Sequence, residues 1–286
     1  PEQLDTQLAF VTRWFRPVGL PEVLAFARGG GRLPNDPVLV TFDDGYRDNH
    51  DVARPILERH GVRATFFVAT DYVDRRRLYW WDRIALVVKR SSRDALEIDY
   101  PARVRLPLDG AAARREAVRR LQRIVKDCVG LDLERFLDGL EQGAGVSLAA
   151  EEVRRLVDDT IMTWEHVVAL RRAGMDVQSH TQTHRVLQTL EPSELAGELR
   201  GSRDLLERVL GEPVRAISYP VGRSLKAAPV VRRAVADAGY ELGFSNGTGV
   251  DRLRRFDPFD ARRVSMDAAM SDAFFRAMLA IPTLAY

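Results

Sequence analysis

The feature that most restricts the fold of this 286-residue chain is a repeated alternation of short apolar runs with amphipathic segments. A helical pattern at residues 46–60 separates apolar runs at 37–42 and 64–68, and this spacing predicts a parallel crossover unit. Further strands are predicted at 175–178, 215–219, 242–245 and 262–266. Such units predict a (β/α) barrel or a doubly wound sheet. Three of the runs end in polar clusters, and barrels carry their active sites at strand ends, so we favour the barrel.

Residues 71–160 interrupt this alternation. They contain helical patterns at 111–129 and 148–157 and lack strong strand signals. We therefore predict a mostly helical insertion, or cap, within one domain that spans residues 1–286. Trp80 and Trp81 lie near the start of this stretch, where we expect them to serve as apolar anchors of its core.

The first polar cluster is Asp43-Asp44-Gly45, directly after the run at 37–42. Neighbouring residues at a strand end point in different directions, so one carboxylate can hold a metal while the other faces a substrate. Gly45 permits a sharp exit from the strand or a close approach of the backbone. The alternative is a helix N-cap, because Asp-Asp-Gly also suits turns and caps.

The second cluster contains His180 and His184, two of only five histidines in the chain. In helix-like backbone their four-residue spacing would place both imidazoles on one face, within reach of one ion. Two histidines and one carboxylate form a common catalytic zinc site that leaves one coordination position open. A hydrogen-bonded surface pair is the alternative.

Three motifs in order resemble those of the polysaccharide deacetylases, the NodB-homology group of carbohydrate esterases: Thr41-Phe42-Asp43-Asp44-Gly45, Ser179-His180-Thr181-Gln182-Thr183-His184 and Ser218-Tyr219-Pro220-Val221-Gly222. The resemblance covers residues 37–68 and 163–266 and leaves out the insertion. It implies a deformed (β/α) barrel of about seven strands. It also implies a metal-dependent hydrolase that removes acetyl groups from N-acetylated sugars of a polysaccharide or oligosaccharide.

By matching position, the resemblance assigns Asp44, His180 and His184 to a divalent metal, most simply Zn²⁺ given two nitrogens and one oxygen. It makes Asp43 the general base that activates the attacking water.

The third motif would lie beside the substrate. The backbone N–H of Val221 would help to stabilise the oxyanion, and Gly222 would let that backbone approach the substrate. We also predict substrate contacts for Tyr219 and Pro220, although this motif alone would be read as a turn. Trp81 is a further candidate, as a platform for a sugar ring.

Two positions depart from the family pattern. Ser218 stands where many members have an arginine that pairs with the base, so Arg262 and Arg263 become the candidates to orient Asp43. The family's Leu-x-His motif, which would supply the general acid, is replaced by Val264-Ser265-Met266. The general acid is therefore unassigned, and His50 is only a weak candidate.

Composition excludes some other functions. The net charge is +2, and the arginines are scattered rather than banded, so no nucleic-acid partner is expected. No apolar run approaches the roughly 18 residues of a membrane span. The single cysteine, Cys128, excludes an intramolecular disulfide. The residues that follow Pro1 do not have the basic-then-apolar pattern of a leader. The family habit predicts the bacterial cell envelope or exterior, and a cytoplasmic location stays open.

Two rival functions remain. The same metal site could serve an amidohydrolase that acts on a small non-sugar amide. The missing motif residues also suit a carbohydrate-binding homologue with weak or no catalysis. The oligomeric state is not predicted.

Overall fold

The computed structural model describes residues 1–266 and 269–281. Within these residues, the main sheet has six strands in the order β10-β9-β8-β7-β4-β3, and every neighbouring pair is parallel. Its strands are β3 (Val40–Phe42), β4 (Ala64–Val68), β7 (Asp176–Ser179), β8 (Ala216–Ser218), β9 (Leu242–Thr248) and β10 (Ala261–Arg263). The sheet curls into a half-barrel. This fold confirms the predicted deformed barrel.

Two short strands extend this half-barrel: β1 (Arg16–Pro17) pairs in parallel with β2 (Pro37–Val38). Only Leu39 separates β2 from β3, so the predicted strand at 37–42 is present as two pieces. The main sheet itself has six strands in the described residues, close to the predicted number of about seven.

Most predicted helices are present. Those outside the insertion are α1 (Glu2–Trp14), α2 (Leu20–Ala27), α3 (Arg54–Arg59), α9 (Trp164–Arg172), α10 (Pro192–Leu210), α11 (Pro229–Asp237) and α12 (Asp272–Ala280). The helix predicted at 46–60 starts as a π-helical segment, Asn49–Ala53, that continues into α3. The sequence also predicts a helix at 266–280, and residues 267 and 268 of that segment lie outside the described part.

The insertion contains five helices: α4 (Thr70–Asp74), α5 (Trp80–Arg90), α6 (Gly110–Asp127), α7 (Leu133–Ala144) and α8 (Ala150–Thr160). It also contains an antiparallel hairpin of β5 (Ala95–Ile98) and β6 (Val104–Pro107), which the sequence analysis missed. These strands are four residues long, and their outer face is polar, so the pattern was too short to recognise. The apolar side of the hairpin joins the same hydrophobic cluster as strand β4.

Parallel strands bring their carboxyl ends to one edge of a sheet. Strands β3, β7, β8 and β10 therefore deliver the predicted polar clusters to the same side of the half-barrel. None of the described helices is long and apolar enough to span a bilayer.

Candidate functional site

Three of the predicted ligands meet at the carboxyl edge of the sheet. Oδ1 of Asp44 lies 3.3 Å from Nε2 of His180 and 3.4 Å from Nε2 of His184. All three ligand atoms lie within 4.8 Å of one another, and both imidazoles are buried. One cation could therefore contact all three side chains.

The backbone around these ligands differs from the prediction. His180 and His184 lie in an irregular loop after β7 and not in a helix, so helical spacing is the wrong reason for their proximity. Thr181, His184 and Asp44 adopt positive φ values of 67°, 53° and 74°. Such conformations cost energy outside glycine and persist only where surrounding contacts impose them. Hydrogen bonds from Thr181 N–H to Ser179 Oγ and from His184 N–H to Thr181 Oγ1 provide part of that support.

The two imidazoles differ in their hydrogen bonds and in the direction of their pKa shifts. Nδ1 of His180 donates to the carbonyl of Ser218 at 2.8 Å, which leaves the Nε2 lone pair directed toward Asp44. Burial lowers the pKa of His184 to about 4, assisted by the charge of His180. Burial also acts to lower the pKa of His180, but the carboxylates of Asp43 and Asp44 outweigh it, and the pKa rises. The donor set and this tautomer fit a divalent cation.

Asp43 lies beside the three ligands and is held by a different set of contacts. Arg263 donates to both carboxylate oxygens at 2.8 Å, and Ser218 Oγ donates to Oδ2 at 3.0 Å. Burial acts to raise the pKa of Asp43, but Arg263 and His180 overcome this effect, and the pKa is well below its ordinary value. Oδ2 of Asp43 is 3.9 Å from Nε2 of His180. A carboxylate with a lowered pKa therefore faces the space next to the predicted metal.

Of the two candidate arginines, the structure places only Arg263 at Asp43. Arg263 and Arg262 are neighbours in β10, so their side chains leave opposite faces. Arg262 is exposed, and its side chain lies 3.9 Å from Asp251. The prediction for Arg262 is wrong. Ser218 explains why the arrangement works, because its small side chain leaves room for the guanidinium of Arg263 and also accepts a hydrogen bond from it.

The third motif differs in part from its prediction. Tyr219 is 2% exposed, and its hydroxyl donates to the carbonyl of Phe259 at 2.9 Å. Pro220 is also buried. Both side chains belong to the packed interior, which contradicts their assignment to substrate binding. The sequence misled here because a Tyr-Pro pair at a strand end has the same appearance whether it packs inward or outward.

Val221 and Gly222 form the turn that follows. Val221 has φ 62° and ψ −11°, an unusual conformation for a β-branched residue. Such a conformation persists only where the surrounding structure imposes it, as at many functional sites. The contact of this backbone with an oxyanion stays a prediction. A Cβ on Gly222 would lie 2.3 Å from Cγ of Asn246, whose Oδ1 accepts from Arg263. Asn246 thus fills the space where a side chain of residue 222 would lie, and the predicted approach of the Gly222 backbone to a substrate stays a prediction.

Replacing Gly222 with alanine should therefore be costly. We expect a loss of about 2–4 kcal/mol in the free energy of unfolding, from the positive φ of 72° and the overlap with Asn246. Gly139 is the matched control, because a Cβ there meets nothing within 4 Å in helix α7. Urea unfolding should show Gly139→Ala to be as stable as the wild type or more so. Equal stabilities of the two variants would contradict this account.

The start of the insertion forms an aromatic wall against the site. The ring of Trp81 stacks on the ring of Tyr79, with 4.4 Å between the ring centroids. It also contacts the ring of His184 edge-on, with 4.5 Å between the centroids. Trp80 is buried. The Tyr79 hydroxyl donates to the carbonyl of Asp44 at 2.7 Å, and Nε1 of Trp80 donates to the carbonyl of His184 at 3.3 Å. Trp80 thus has the core position that was predicted for both tryptophans. Trp81 borders the ligands, and its contact with a sugar stays a prediction.

A second histidine cluster lies apart from this site. His50 is 2.7 Å from Asp51, and its ring packs against His166 at 4.6 Å. Asp51 already pairs with Arg47, and Nδ1 of His166 accepts from the backbone of Thr163, so these groups have partners of their own. Within the described residues, no hydrogen bond or ring contact joins His50 to the three ligands. This placement gives His50 no support as the general acid.

Sequence reasoning missed three residues that support the site. Asn246 follows no motif, and nothing in the sequence marks it. Ser218 was noted only as a missing arginine. Glu198 had a usable signal, because it lies on the buried face of α10 with Leu195, Leu199, Ser202 and Leu206. A carboxylate within an apolar stripe indicates a specific buried partner.

Comparisons with known proteins agree with this geometry. YxkH of Bacillus subtilis, whose name places it among polysaccharide deacetylases, is 21% identical over 246 residues, which are 85% of this chain and 56% of YxkH. The chain thus spans little more than half of that relative. Among solved structures, the deacetylase PplD of Streptococcus pyogenes in complex with acetate has a TM-score of 0.60, 18% identity and coverage of 95% of this chain and 83% of PplD. IcaB of Ammonifex degensii has a TM-score of 0.58, 17% identity and coverage of 98% and 87%.

These structural similarities establish the fold. The family described as polysaccharide deacetylase matches residues 30–102 and 144–243, so residues 1–29, the middle of the insertion and the residues after 243 are unmatched. That match covers more than half of the sequence and includes Asp43, Asp44, both histidine ligands and the turn at 219–222. The chain belongs to the polysaccharide deacetylase family.

Proposed function

We propose that this protein is a divalent-metal-dependent hydrolase that removes acetyl groups from N-acetylated sugars of a polysaccharide or oligosaccharide. The observation that carries the proposal is the convergence of Asp44, His180 and His184 next to a separately held Asp43. In this arrangement three side chains can bind a cation, and the carboxylate of Asp43 remains available for proton transfer.

Asp44, His180 and His184 would hold the cation, and Zn²⁺ suits two imidazoles and one carboxylate. A bound Zn²⁺ supplies a Lewis acid for the acetyl carbonyl and lowers the pKa of water at the site. Asp43 accepts the proton of the attacking water. Because its pKa is so low, Asp43 is a weak base that works only if the acidity of that water is raised at the same time.

Other residues of the chain orient this carboxylate and the substrate. Arg263 and Ser218 fix both oxygens of Asp43, so that the side chain pays no reorganisation cost during the reaction. The N–H of Val221, in its strained turn, would donate to the developing oxyanion. Trp81 would border the acetylated sugar on the side of His184.

Family membership is the support for our proposals on the substrate class and the place of action. Names of the similar proteins refer to deacetylation and to polysaccharide, so acetylated glycans are the first substrates to test. We propose the cell envelope or exterior as the location, because acetylated surface polysaccharides occur there.

The test measures acetate release from N-acetylglucosamine oligomers and, in parallel, from small linear and cyclic amides. We expect release from the oligomers, loss after dialysis against a chelator, and recovery on addition of Zn²⁺. Metal content of the purified protein should approach one ion per chain and should fall in His180→Ala.

Each rival has its own outcome. Hydrolysis of the small amides alone would support the amidohydrolase and overturn the sugar substrate. Sugar binding in calorimetry without acetate release over a long incubation would support the carbohydrate-binding homologue.

A further inference from the structure

Helix α10 holds the loop that carries the two histidine ligands. Oε2 of Glu198 accepts the backbone N–H groups of Gln182 and Thr183, each at 2.9 Å. Its other oxygen, Oε1, accepts the hydroxyl of Thr183. Three donors from the middle of the loop thus converge on one buried carboxylate, which is 8% exposed.

The rest of the loop is fitted to the same helix. Nε2 of Gln182 donates to the carbonyl of Gly197 at 2.7 Å, and a Cβ on Gly201 would lie 1.7 Å from that nitrogen. The hydroxyl oxygen of Ser202, one turn after Glu198, lies 2.8 Å from the hydroxyl oxygen of Ser179 at the start of the loop. The loop therefore rests directly on α10 between its two ligands.

This support has a physical reason. Thr181 and His184 both adopt positive φ, so the loop stores strain that it would relieve if it were free to relax. Two consecutive N–H groups in such a loop point to the same side and need an acceptor, since burying them unpaired costs about 1–3 kcal/mol each. A carboxylate suits this position because both of its oxygens only accept.

We propose that Glu198 is a positioning residue that sets the separation of His180 and His184 and so determines the affinity of the site for its cation. This inference rests on the metal centre of the proposed function, but it concerns cation binding and not the substrate. Glu198 touches neither the ligand atoms nor the space beside Asp43, so it acts through the backbone of Gln182 and Thr183.

The experiment compares Co²⁺ binding by the wild type and Glu198→Gln, with a chromophoric chelator as competitor. Glutamine keeps the shape of the side chain but removes its negative charge, which weakens the hydrogen bonds from the two N–H groups. Its amide nitrogen also requires the Thr183 hydroxyl to accept a hydrogen bond where it now donates one. We expect affinity for Co²⁺ to fall by about 10–100-fold, the usual effect of removing a group that orients metal ligands. We also expect the visible absorption bands of Co²⁺ to shift, since the angle between the imidazoles changes.

Three further variants separate positioning from general stability. Asp204→Asn removes an exposed carboxylate from the same helix and should leave affinity and spectrum unchanged. Glu198→Asp keeps two acceptors and should recover part of the lost affinity. Thr183→Val removes only the hydroxyl donor and should give a smaller loss; it also serves if Glu198→Gln fails to fold. With the site saturated by Co²⁺, kcat for an acetylated oligomer should fall more than KM changes.

The outcomes are distinct. Wild-type affinity and an unshifted spectrum in Glu198→Gln, or in Thr183→Val if the former does not fold, would overturn the positioning role and leave the proposed function intact. A wild type that binds Co²⁺ but releases no acetate would overturn the function alone. A wild type that binds no divalent cation would overturn both.

Discussion

Asp43→Asn should retain its metal and lose about 10²–10⁴-fold in kcat, the range that a positioned general base contributes. Asparagine has the same shape, and its amide oxygen can still accept from Arg263, but it cannot take a proton from water. The three predicted ligands are unchanged, so cation binding should persist. Acetate release and metal analysis on the same preparation test both parts of this prediction.

The neighbouring residue provides the sharpest comparison. Asp44→Asn changes a carboxylate in the same way one residue later, but at the atom that faces His180 and His184. We expect this variant to lose metal and activity together, and excess Zn²⁺ should restore part of the activity. Asp43→Asn should show no such recovery. If Asp43→Asn kept more than a tenth of the wild-type kcat, Asp43 would not be the base.

The second large effect is expected for Arg263→Ala. Both partners are largely shielded from solvent, with the Arg263 side chain 12% and the Asp43 side chain 25% exposed. Removing the guanidinium leaves a partly buried carboxylate without its cation, which should cost about 3 kcal/mol of unfolding free energy. Loss of the two hydrogen bonds should also let Asp43 rotate, at a cost of about 10²-fold in kcat. Arg262→Ala, one residue earlier and paired outside the site, should match the wild type in both measurements.

The pH dependence gives Arg263→Ala a second readout. Arg263 lowers the pKa of Asp43, so the wild-type carboxylate is ionised over the whole working range. Without Arg263 that pKa rises, and the acid limb of the kcat/KM profile should move to higher pH. The free energy of unfolding should also depend on pH differently in the wild type and in Arg263→Ala. The wild type gains from ionised Asp43 above about pH 4 and loses that gain only as pH falls through the lower folded pKa; the variant should lack the gain. Unchanged profiles in Arg263→Ala would contradict this role.

The sequence was sufficient to predict the framework and the meeting of Asp44, His180 and His184. Asp44, His180 and His184 are each placed by the end of a strand, and parallel strands bring such ends together whatever the details of their loops. The resemblance then assigned their roles. The predicted reason for the histidine spacing failed, because a helix-like turn and a strained loop can share the same spacing.

The choice between Arg262 and Arg263 could not be made from the sequence. The last strand was predicted at 262–266 and lies at Ala261–Arg263, and in a strand a shift of one residue reverses which side chain faces inward. The predicted substrate contact of Tyr219 failed for a similar reason, because the direction of this side chain depends on its packing against Gly243. A Cβ on Gly243 would lie 1.8 Å from the Tyr219 hydroxyl oxygen. Contacts between distant segments decide such questions, and no local pattern records them.

The hydrogen bonds from the insertion to the ligand backbone have a consequence for how this family can diversify. Tyr79 and Trp80 reach the carbonyls of Asp44 and His184, so residues outside the strand-end motifs hold two of the three predicted ligands. A chimera that exchanged residues 71–160 for the corresponding segment of another member would transplant part of the scaffold that shapes the cation site. Substitutions at these positions of the insertion can therefore change the geometry of the predicted cation site while every strand-end motif stays the same.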